Sequence, residues 1–389
     1  MHIALCGPVT PALLQPLLDD QVDEKGYPFP LLAVLAHEYV RLGHRVSVIS
    51  TAPDISVTQR YGGPHADLWL VPSRPRPRDR ALDLFRLERR GIAAALREVE
   101  PDVIHAHWTY EFAAAALSVD RRRTLVTAHD APLTILHYMP DPYRALRAVL
   151  AVWVRIRLTA VTAISPYLSH RLRRELFFVR QIEVIPNPVS PPPAHSGVVD
   201  GDDRPLVLEV SDGSRRKNVR ELLRAFAIVL EAHPQAQLRL IGNGLEPAGS
   251  LSRWARAREL SNNVVFLGPL PKSEVEAQMR ECRVLAHSSR EESHGLVLVE
   301  AMSSGMLVVA SSRAGATYWT TFHGQGGILS PTARAADLAR SISRALDSPR
   351  RNQQEQTELN QLINRRHAPT VVAKSYERAL EALIRSRPL

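Results

Sequence analysis

Residues 284–310 read VLAHSSREESHGLVLVEAMSSGMLVVA, and this stretch decides the fold class. The apolar run at 284–286 predicts a buried strand, and the apolar run at 306–310 predicts a second one. Between them a polar loop leads into a helical pattern that starts after Gly295 and ends near Gly305. A strand, a helix and a further strand in this order form a βαβ unit, which places both strands parallel in one sheet.

The same alternation runs through the rest of the chain in two series. The first series of predicted strands comprises His2–Cys6, Arg45–Ser50, Asp67–Val71, Val103–His107, Thr124–His129, Ala160–Ile164 and Ile182–Pro186. The second series comprises Leu206–Val210, Gln237–Ile241, Asn263–Leu267, Arg283–His287 and Met306–Ala310. A proline-rich and then acidic stretch separates the two series, as is typical of a linker.

Two βαβ series joined by a linker predict an α/β protein with two Rossmann-like domains that face a central cleft. The predicted limits are an N-terminal domain at 1–189, a linker at 190–204, a C-terminal domain at 205–365 and a C-terminal helix at 366–389 that packs back on the N-terminal domain. Ligands of open parallel sheets bind at the carboxyl ends of the strands, so the site is expected in the loops that follow strands.

The composition excludes several classes of protein. The 389 residues are 45% hydrophobic and 23% charged, as in soluble globular proteins. Two cysteines give no disulfide framework, and no apolar run approaches the roughly 20 residues that span a bilayer, so we expect a cytoplasmic protein. The net charge is +9, but the basic residues neither gather in a tail nor alternate with aromatic residues, which argues against nucleic acid as a partner.

Carboxylates and a glycine surround the start of the helix in residues 284–310. Gly295 lets a ligand approach the backbone, and the amide groups of the next turn suit an anion. Glu292 is expected in the preceding loop and Glu300 two turns into the helix. Carboxylates beside an anion site fit a ligand with both a diphosphate and sugar hydroxyls. The residues alone leave a second interpretation open, a solvated loop glutamate and a glutamate on the helix surface.

Glu292 and Glu300, with the residues that follow them, resemble the Glu-x7-Glu signature of the family 4 retaining glycosyltransferases of the GT-B fold. The resemblance covers nearly the whole chain. Further segments similar to family landmarks are 41–46, 101–107, 127–130, 162–165, 184–187, 217–218, 241–244 and 265–268. The resemblance implies the GT-B fold, with an acceptor-side N-terminal domain and a C-terminal domain that binds a nucleotide sugar.

The resemblance implies a role for each donor-side residue. Glu300 is expected to bind the ribose hydroxyls, Glu292 the hydroxyls of the transferred sugar, and Lys217 the diphosphate. Ser211 stands where the family has a second cation, so Arg215 or Arg216 is expected to supply that charge. His294 replaces a family phenylalanine, and stacking and phosphate binding both stay open for it. The implied donor-binding set is Arg215, Arg216, Lys217, Gly268, His294, Gly295, Leu296, Val297 and Glu300.

The acceptor side is defined by histidines and one loop. His129 matches the family's active-site histidine near the anomeric carbon, and with Lys217 and Glu292 it forms the predicted catalytic set. His107, Gly26 and Tyr27 are assigned to the acceptor side, while a place in the core stays open for His107. The family generally needs no metal, so no metal or other cofactor is expected, and the implied reaction is front-face substitution with retention.

By resemblance to bacterial relatives, the acceptor is a saccharide or a lipid-linked molecule in polysaccharide or glycolipid biosynthesis. The predicted helix at 143–158 carries Arg144, Arg147 and Arg155 in one sector and is suited either to a peripheral contact with an anionic membrane or to packing on its sheet. Two other functions stay open: a sugar-nucleotide epimerase of the GT-B fold, and a catalytically inactive nucleotide-binding partner subunit.

Overall fold

The structure is a computed structural model, and it describes residues 1–22, 26, 29–179, 181–189, 204–331 and 333–385. The chain forms two compact units. Unit 1 comprises Met1–Pro188 with Pro369–Leu389, and unit 2 comprises Val189–Ala368. The predicted linker lies outside the described residues except for Arg204, as does Tyr27 of the predicted acceptor side.

The sheet of unit 1 is parallel apart from one edge strand. Among the described residues its order is β3-β4-β2-β1-β5-β6-β7-β8, and only the β3–β4 pair is antiparallel. These strands are β1 His2–Cys6, β2 Arg45–Ala52, β3 Gln59–Gly62, β4 Ala66–Pro72, β5 Val103–His107, β6 Thr124–Ala128, β7 Ala160–Ala163 and β8 Glu183–Val184.

Helices cover both faces of this sheet, which explains why its central strands are buried and largely apolar. In β1, Ile3 and Leu5 pack into one core cluster while Ala4 and Cys6 pack into the cluster on the opposite face. The helices of this part of the chain are α1 Leu31–Arg41, α2 Pro77–Ala81, α3 Arg86–Val99, α4 Glu111–Asp120, α5 Pro132–Tyr138, α6 Pro142–Arg157 and α7 Pro166–Glu175, with a 3-10 helix at Pro11–Leu17.

Helix α6 contains the arginines that the sequence placed in one sector, and the structure turns them towards the protein. Arg147 lies over the ring of Tyr110, with 3.7 Å from Cζ to the ring centroid. Arg155 donates to the backbone carbonyl of Leu176, and Arg144 pairs with Asp141 at the start of the helix. The side chains of α6 that face solvent are apolar instead, namely Val149, Val152 and Ile156.

Unit 2 is a doubly wound parallel sheet. Among its described residues the order is β11-β10-β9-β12-β13-β14, the 3-2-1-4-5-6 order of Rossmann folds. The strands are β9 Leu206–Val210, β10 Gln237–Ile241, β11 Val264–Gly268, β12 Val284–His287, β13 Leu307–Ser311 and β14 Gly327–Ser330. The helices are α8 Val219–Ala232, α9 Ser250–Arg256, α10 Lys272–Glu281, α11 Leu296–Ser303, α12 Thr317–Thr320, α13 Ala335–Asp347 and α14 Gln353–His367, with a short 3-10 helix at Phe322–Gly324.

The last helix, α15 Pro369–Arg385, belongs to unit 1. Val372, Tyr376 and Leu380 are buried in the same core cluster as the apolar residues of α1. The imidazole of His44 lies 2.7 Å from the carboxylate of Glu377, which links α15 to the loop before β2. The chain therefore returns to its first sheet after it has completed the second one.

In each unit the strand order reverses between two central neighbours, β1 and β5 in unit 1 and β9 and β12 in unit 2. Loops at the carboxyl ends of such a pair leave in opposite directions and open a crevice between them, where α/β folds bind ligands. These loops contain several of the predicted site residues, whereas His129 follows β6 and Gly268 ends β11.

Candidate active site

In unit 2, the loops after β9 and β12 lie side by side because these strands are parallel neighbours. The amide of Arg290 donates to the carbonyl of Arg216 at 2.9 Å, and the Ser288 hydroxyl donates to the carbonyl of Lys217 at 2.8 Å. Asn218, in a left-handed conformation with φ of 61°, ends the first loop, and α8 begins at the next residue. Lys217 therefore lies before the helix rather than in its first turn.

Two adjacent ion pairs join these loops. Arg216 Nη1 lies 3.0 Å from Glu291 Oε2, and Lys217 Nζ donates to Glu292 Oε1. Both glutamates are buried, with 1% of Glu291 and 5% of Glu292 exposed, so the solvated loop glutamate considered from the sequence is wrong. Arg215, the other candidate for the second cation, is exposed.

Glu292 accepts hydrogen bonds from three sides. Besides Lys217, its Oε1 atom lies 2.9 Å from His287 Nε2 and 2.9 Å from the Ser289 hydroxyl. Burial alone would raise the pKa of Glu292, but the charge of Lys217 and the hydrogen bond from His287 outweigh it and hold the pKa well below its usual value. Glu292 is thus an ionised carboxylate in a buried position.

The helix that follows Glu292 begins at a glycine for a conformational reason. Gly295 has φ of 80° at the N-cap of α11, and an added Cβ would lie 2.9 Å from a methyl group of Leu298. Leu296 and Val297 form the first turn, where helix amides have no partner within the helix. Glu300 lies in the second turn and is half-buried, and burial raises its pKa although Lys272 acts in the opposite direction.

Two other predicted donor residues lie apart from the ion pairs. His294 is buried beside Trp319 and His367, with ring centroids 5.8 Å and 5.2 Å away. Gly268 ends β11 with φ of 69°, and its amide donates to the carbonyl of Leu245 at 3.0 Å. The structure brings Lys217, Arg216 and Glu292 together, and it places Gly268, at the end of β11, against the loop after β10.

In unit 1, the predicted histidines meet at the ends of β5 and β6. His107 Nδ1 lies 2.8 Å from His129 Nε2, and the ring of Trp108 packs against His129 with centroids 4.3 Å apart. Burial lowers the pKa of His129 to about 3 and the pKa of His107 well below its usual value, so both rings are neutral. His105 lies on the same face of β5 as His107, as the alternation predicts, with centroids 4.3 Å apart.

Gly26 is packed against the start of the 3-10 helix, where an added Cβ would lie 2.6 Å from Pro11. Among the described residues of this loop, Phe29 reaches the histidines, with its ring centroid 6.5 Å from that of His129 and 4.9 Å from that of Trp108. The sequence did not single out Phe29, and an aromatic residue among prolines in the loop after β1 was the available signal.

Comparison with protein families accounts for most of the chain. The family described as "Glycosyltransferase Family 4" matches residues 31–191, and the family described as "Glycosyl transferases group 1" matches residues 196–361. The chain belongs to glycosyltransferase family 4.

This glycosyltransferase is similar to curated relatives. It is 36% identical over 139 residues to the D-inositol 3-phosphate glycosyltransferase of Corynebacterium kroppenstedtii, an alignment that covers 34% of this chain and 31% of the relative. It is 26% identical over 302 residues to the 2-deoxystreptamine glucosyltransferase of Streptomyces kanamyceticus, covering 71% of this chain and 78% of the relative.

Solved structures share the fold of this glycosyltransferase. Sucrose-phosphate synthase from Thermosynechococcus elongatus superposes with a TM-score of 0.78 at 21% identity and covers 100% of both chains. Anabaena Alr3699/HepE in complex with UDP-glucose superposes with a TM-score of 0.67 at 18% identity, covering 98% of this chain and 100% of the other. The predicted GT-B fold is confirmed.

In the part of the chain that the structure describes, no group of three or more histidine, cysteine, aspartate or glutamate side chains is arranged to hold a metal ion. Within the same residues, no helix combines the length and the apolar character that crossing a membrane requires.

Proposed function

We propose that this glycosyltransferase moves a sugar from a nucleotide-diphosphate donor to an acceptor hydroxyl with retention of the anomeric configuration. The observation that carries the proposal is the pairing of two adjacent cations, Arg216 and Lys217, with Glu291 and Glu292 beside the N-terminus of α11. Cations and helix amides suit a diphosphate, and ionised carboxylates suit sugar hydroxyls. The complex of the structurally similar HepE with UDP-glucose supports a donor of this class.

The diphosphate would bind Lys217 and Arg216. Arg216 is the better candidate for the missing family cation, because it is partly buried in the same loop as Lys217, while Arg215 is exposed. Phosphate oxygens would compete with Glu291 for the guanidinium, whose planar donor group fits phosphate well. The amides of Leu296 and Val297 would add donors at the positive end of α11.

The carboxylates would hold the two sugars of the donor. Glu300, in the second turn of α11, is proposed to bind the ribose hydroxyls, and Glu292 the hydroxyls of the transferred sugar. Gly268 and His294 keep their proposed places in the donor-binding set: Gly268 contacts Leu245, and His294 packs beside Trp319 and His367.

The chemistry follows from charge. The bond between the anomeric carbon and the phosphate oxygen breaks while the acceptor hydroxyl attacks the same face, and the departing phosphate takes the hydroxyl proton. Negative charge grows on the diphosphate, and cations already in place stabilise it in the transition state. Lys217 and Arg216 would supply this charge without a metal ion. His129 keeps its proposed place in the catalytic set as a neutral imidazole, which can both donate and accept a hydrogen bond.

For the acceptor we propose a saccharide or a lipid-linked molecule of polysaccharide or glycolipid biosynthesis. The names of the relatives support a hydroxyl-rich acceptor: one is a D-inositol 3-phosphate glycosyltransferase, another a 2-deoxystreptamine glucosyltransferase, and a third an alpha-monoglucosyldiacylglycerol synthase.

A peripheral contact with an anionic membrane is proposed at the exposed apolar residues of unit 1. Val152 and Ile156 on α6 face solvent, and Arg155 bonds the carbonyl of Phe177, which places the exposed Phe177 near the end of the same helix. The exposed arginines Arg121–Arg123 lie close by, because Thr159 donates to the carbonyl of Arg121. Apolar side chains flanked by arginines suit the interface of an anionic bilayer.

The experiment that tests the function is a donor panel. Thermal shifts with UDP-, GDP-, ADP- and dTDP-sugars identify the donor, since a ligand at 100 times its dissociation constant stabilises by about 2.7 kcal/mol. Transfer to sugar and glycolipid acceptors is then followed by NMR of the new anomeric centre, with and without EDTA. Epimerised donor, binding without turnover, or an inverted product contradicts the proposal, and activity that chelation abolishes and magnesium restores contradicts its metal-free part.

A further inference from the structure

Two charged residues lie fully buried behind Glu292, and no role has been assigned to them so far. Glu209 is in β9 and His287 is in β12, and their exposed fractions are 0% and 1%. His287 Nε2 lies 2.9 Å from Glu292 Oε1, and His287 Nδ1 lies 3.7 Å from Glu209 Oε1. The other oxygen of Glu209 accepts from the amide of Ser288 at 3.2 Å. The imidazole therefore stands between two carboxylates.

This arrangement fits a charged imidazole. Only imidazolium carries a proton on each ring nitrogen, so only this form can serve both carboxylates. Burial alone would lower the pKa of His287, but the hydrogen bond to Glu292 and the charges of Glu209 and Glu292 outweigh it and raise the pKa. Beyond Glu292 lies Lys217, so two cations and two carboxylates alternate from the core of the sheet to its edge.

A contribution to folding stability does not explain why Glu209 and His287 occupy two central strands. Removing charges from water is costly, and replacing a buried ionic cluster by apolar residues of similar size is often neutral or stabilising. The neighbouring residues in these strands, Leu208 and Leu285, are buried and apolar. Hydrogen bonds join the pair to the loop at Ser288 and Glu292, and Glu292 is the group with a proposed role in binding the donor.

We propose that His287 and Glu209 are positioning residues for Glu292, in that the imidazolium held by Glu209 fixes the orientation and the negative charge of the Glu292 carboxylate. This inference rests on the proposed function, in which Glu292 binds the hydroxyls of the transferred sugar. Its consequence is specific: the pair affects the sugar part of the donor and not the nucleotide part, which other residues hold.

The test compares three substitutions of His287. A glutamine side chain places its amide nitrogen near the position of Nε2, facing Glu292, and an asparagine places it near Nδ1, facing Glu209. We expect His287→Leu and His287→Asn to lower kcat/KM for the donor by about 10- to 100-fold, the loss of one charge-assisted hydrogen bond. His287→Gln should recover most of that loss, and all three variants should bind the free nucleoside diphosphate as the wild type does.

Transfer by His287→Leu at the wild-type rate, or equal kinetics for the asparagine and glutamine variants, overturns the proposal. Weaker binding of the free nucleoside diphosphate in every variant also overturns it, since that result indicates a merely structural role. If His287→Leu does not fold, the asparagine and glutamine pair decides. The variant Glu292→Gln is measured in the same assay. Undiminished transfer by Glu292→Gln overturns both the role of Glu292 and the inference. Loss of transfer in Glu292→Gln together with full transfer by His287→Leu overturns the inference alone.

Discussion

Arg216 and Glu291 form an ion pair with 3.0 Å between Nη1 and Oε2, and the next residue of each loop forms the neighbouring pair. Both pairs join residues 75 positions apart in sequence, so they exist only because β9 and β12 are neighbours. The cations are thus held in place before any ligand arrives. A bound diphosphate would replace carboxylate oxygens of Glu291 and Glu292 by phosphate oxygens, and the two cations would need little rearrangement.

Lys217→Ala should lower the turnover number more than it weakens donor binding. The attraction between Lys217 and the leaving diphosphate grows as negative charge develops in the transition state. Losing one such contact typically costs about 100- to 1000-fold in rate. Steady-state kinetics and donor titration measure the two effects. Lys374→Ala, on the exposed side of α15, is the matched control. A change confined to KM would mean that Lys217 binds only the ground state.

Arg216→Ala should resemble Lys217→Ala, and Arg215→Ala should behave as a surface substitution. The two residues are adjacent, yet one faces Glu291 and the other faces solvent. Kinetics on both variants, with thermal melts to check folding, make the comparison direct. Equal losses in the two variants, or a loss only in Arg215→Ala, would show that the second cation is assigned to the wrong residue.

Glu300→Ala should weaken binding of the free nucleoside diphosphate by about 10- to 150-fold, the equivalent of roughly 1.5–3 kcal/mol for hydrogen bonds to a charged group. Because burial raises the pKa of Glu300, affinity should also fall as the pH drops towards that raised value and the carboxylate takes up a proton. Calorimetric titration at several pH values measures both effects, with exposed Glu358→Ala as the control. Unchanged affinity at neutral pH would refute the ribose assignment.

The buried histidines of unit 1 should make stability fall in mild acid. Burial lowers the pKa of His105 and of His129 from 6.5 to about 3, so below pH 6.5 the unfolded chain binds protons that the folded chain does not. The free energy of unfolding should then decrease by about 1.4 kcal/mol per pH unit for each such histidine between these two values.

Urea unfolding between pH 7.5 and 5.5 measures this slope. The variant His105→Asn should show a smaller decrease than the wild type, and His65→Asn, at an exposed position before β4, is the matched control. His287 acts with the opposite sign, because a raised pKa contributes stability that is lost as the pH rises. A wild-type slope that His105→Asn leaves unchanged would contradict the neutral, buried state of this ring.

Val152→Glu with Ile156→Glu should reduce binding to vesicles that contain anionic lipid. The double variant places negative charge on the exposed apolar face of α6, next to the arginines at 121–123. Co-sedimentation with anionic and with neutral vesicles measures the effect, and Val57→Glu, exposed elsewhere in unit 1, is the control. Failure of the wild-type protein to sediment with either vesicle type would rule out the membrane contact.

Local pattern was sufficient for most of the fold. Each predicted strand corresponds to a strand of the structure, because a fully buried parallel strand needs a run of apolar residues that few other elements require. The two strands that the sequence did not reveal, β3 Gln59–Gly62 and β14 Gly327–Ser330, lie at sheet edges and are only partly buried. Such strands carry weaker hydrophobic patterns.

The sequence predicted which segments contribute to the site but not which side chains contact one another there. The Glu292 loop and Lys217 could be found from local sequence and family resemblance, whereas Glu209 and His287 could not. Their meaning depends on strand order, which places β12 beside β9 although β10 and β11 intervene in the chain. A glutamate within the apolar run of β9 was the one local sign, since a charge there is costly unless it is paired.

Helix α15 has a consequence for how the chain acquires its structure during translation. Unit 1 takes its final helix from residues that leave the ribosome only after every residue of unit 2 has been synthesised. The surface of α1 that Val372 and Tyr376 cover must therefore stay exposed while the whole of unit 2 emerges. Unit 1 keeps this apolar surface uncovered until α15 is synthesised. Unit 2, in contrast, has all its residues before α15 emerges.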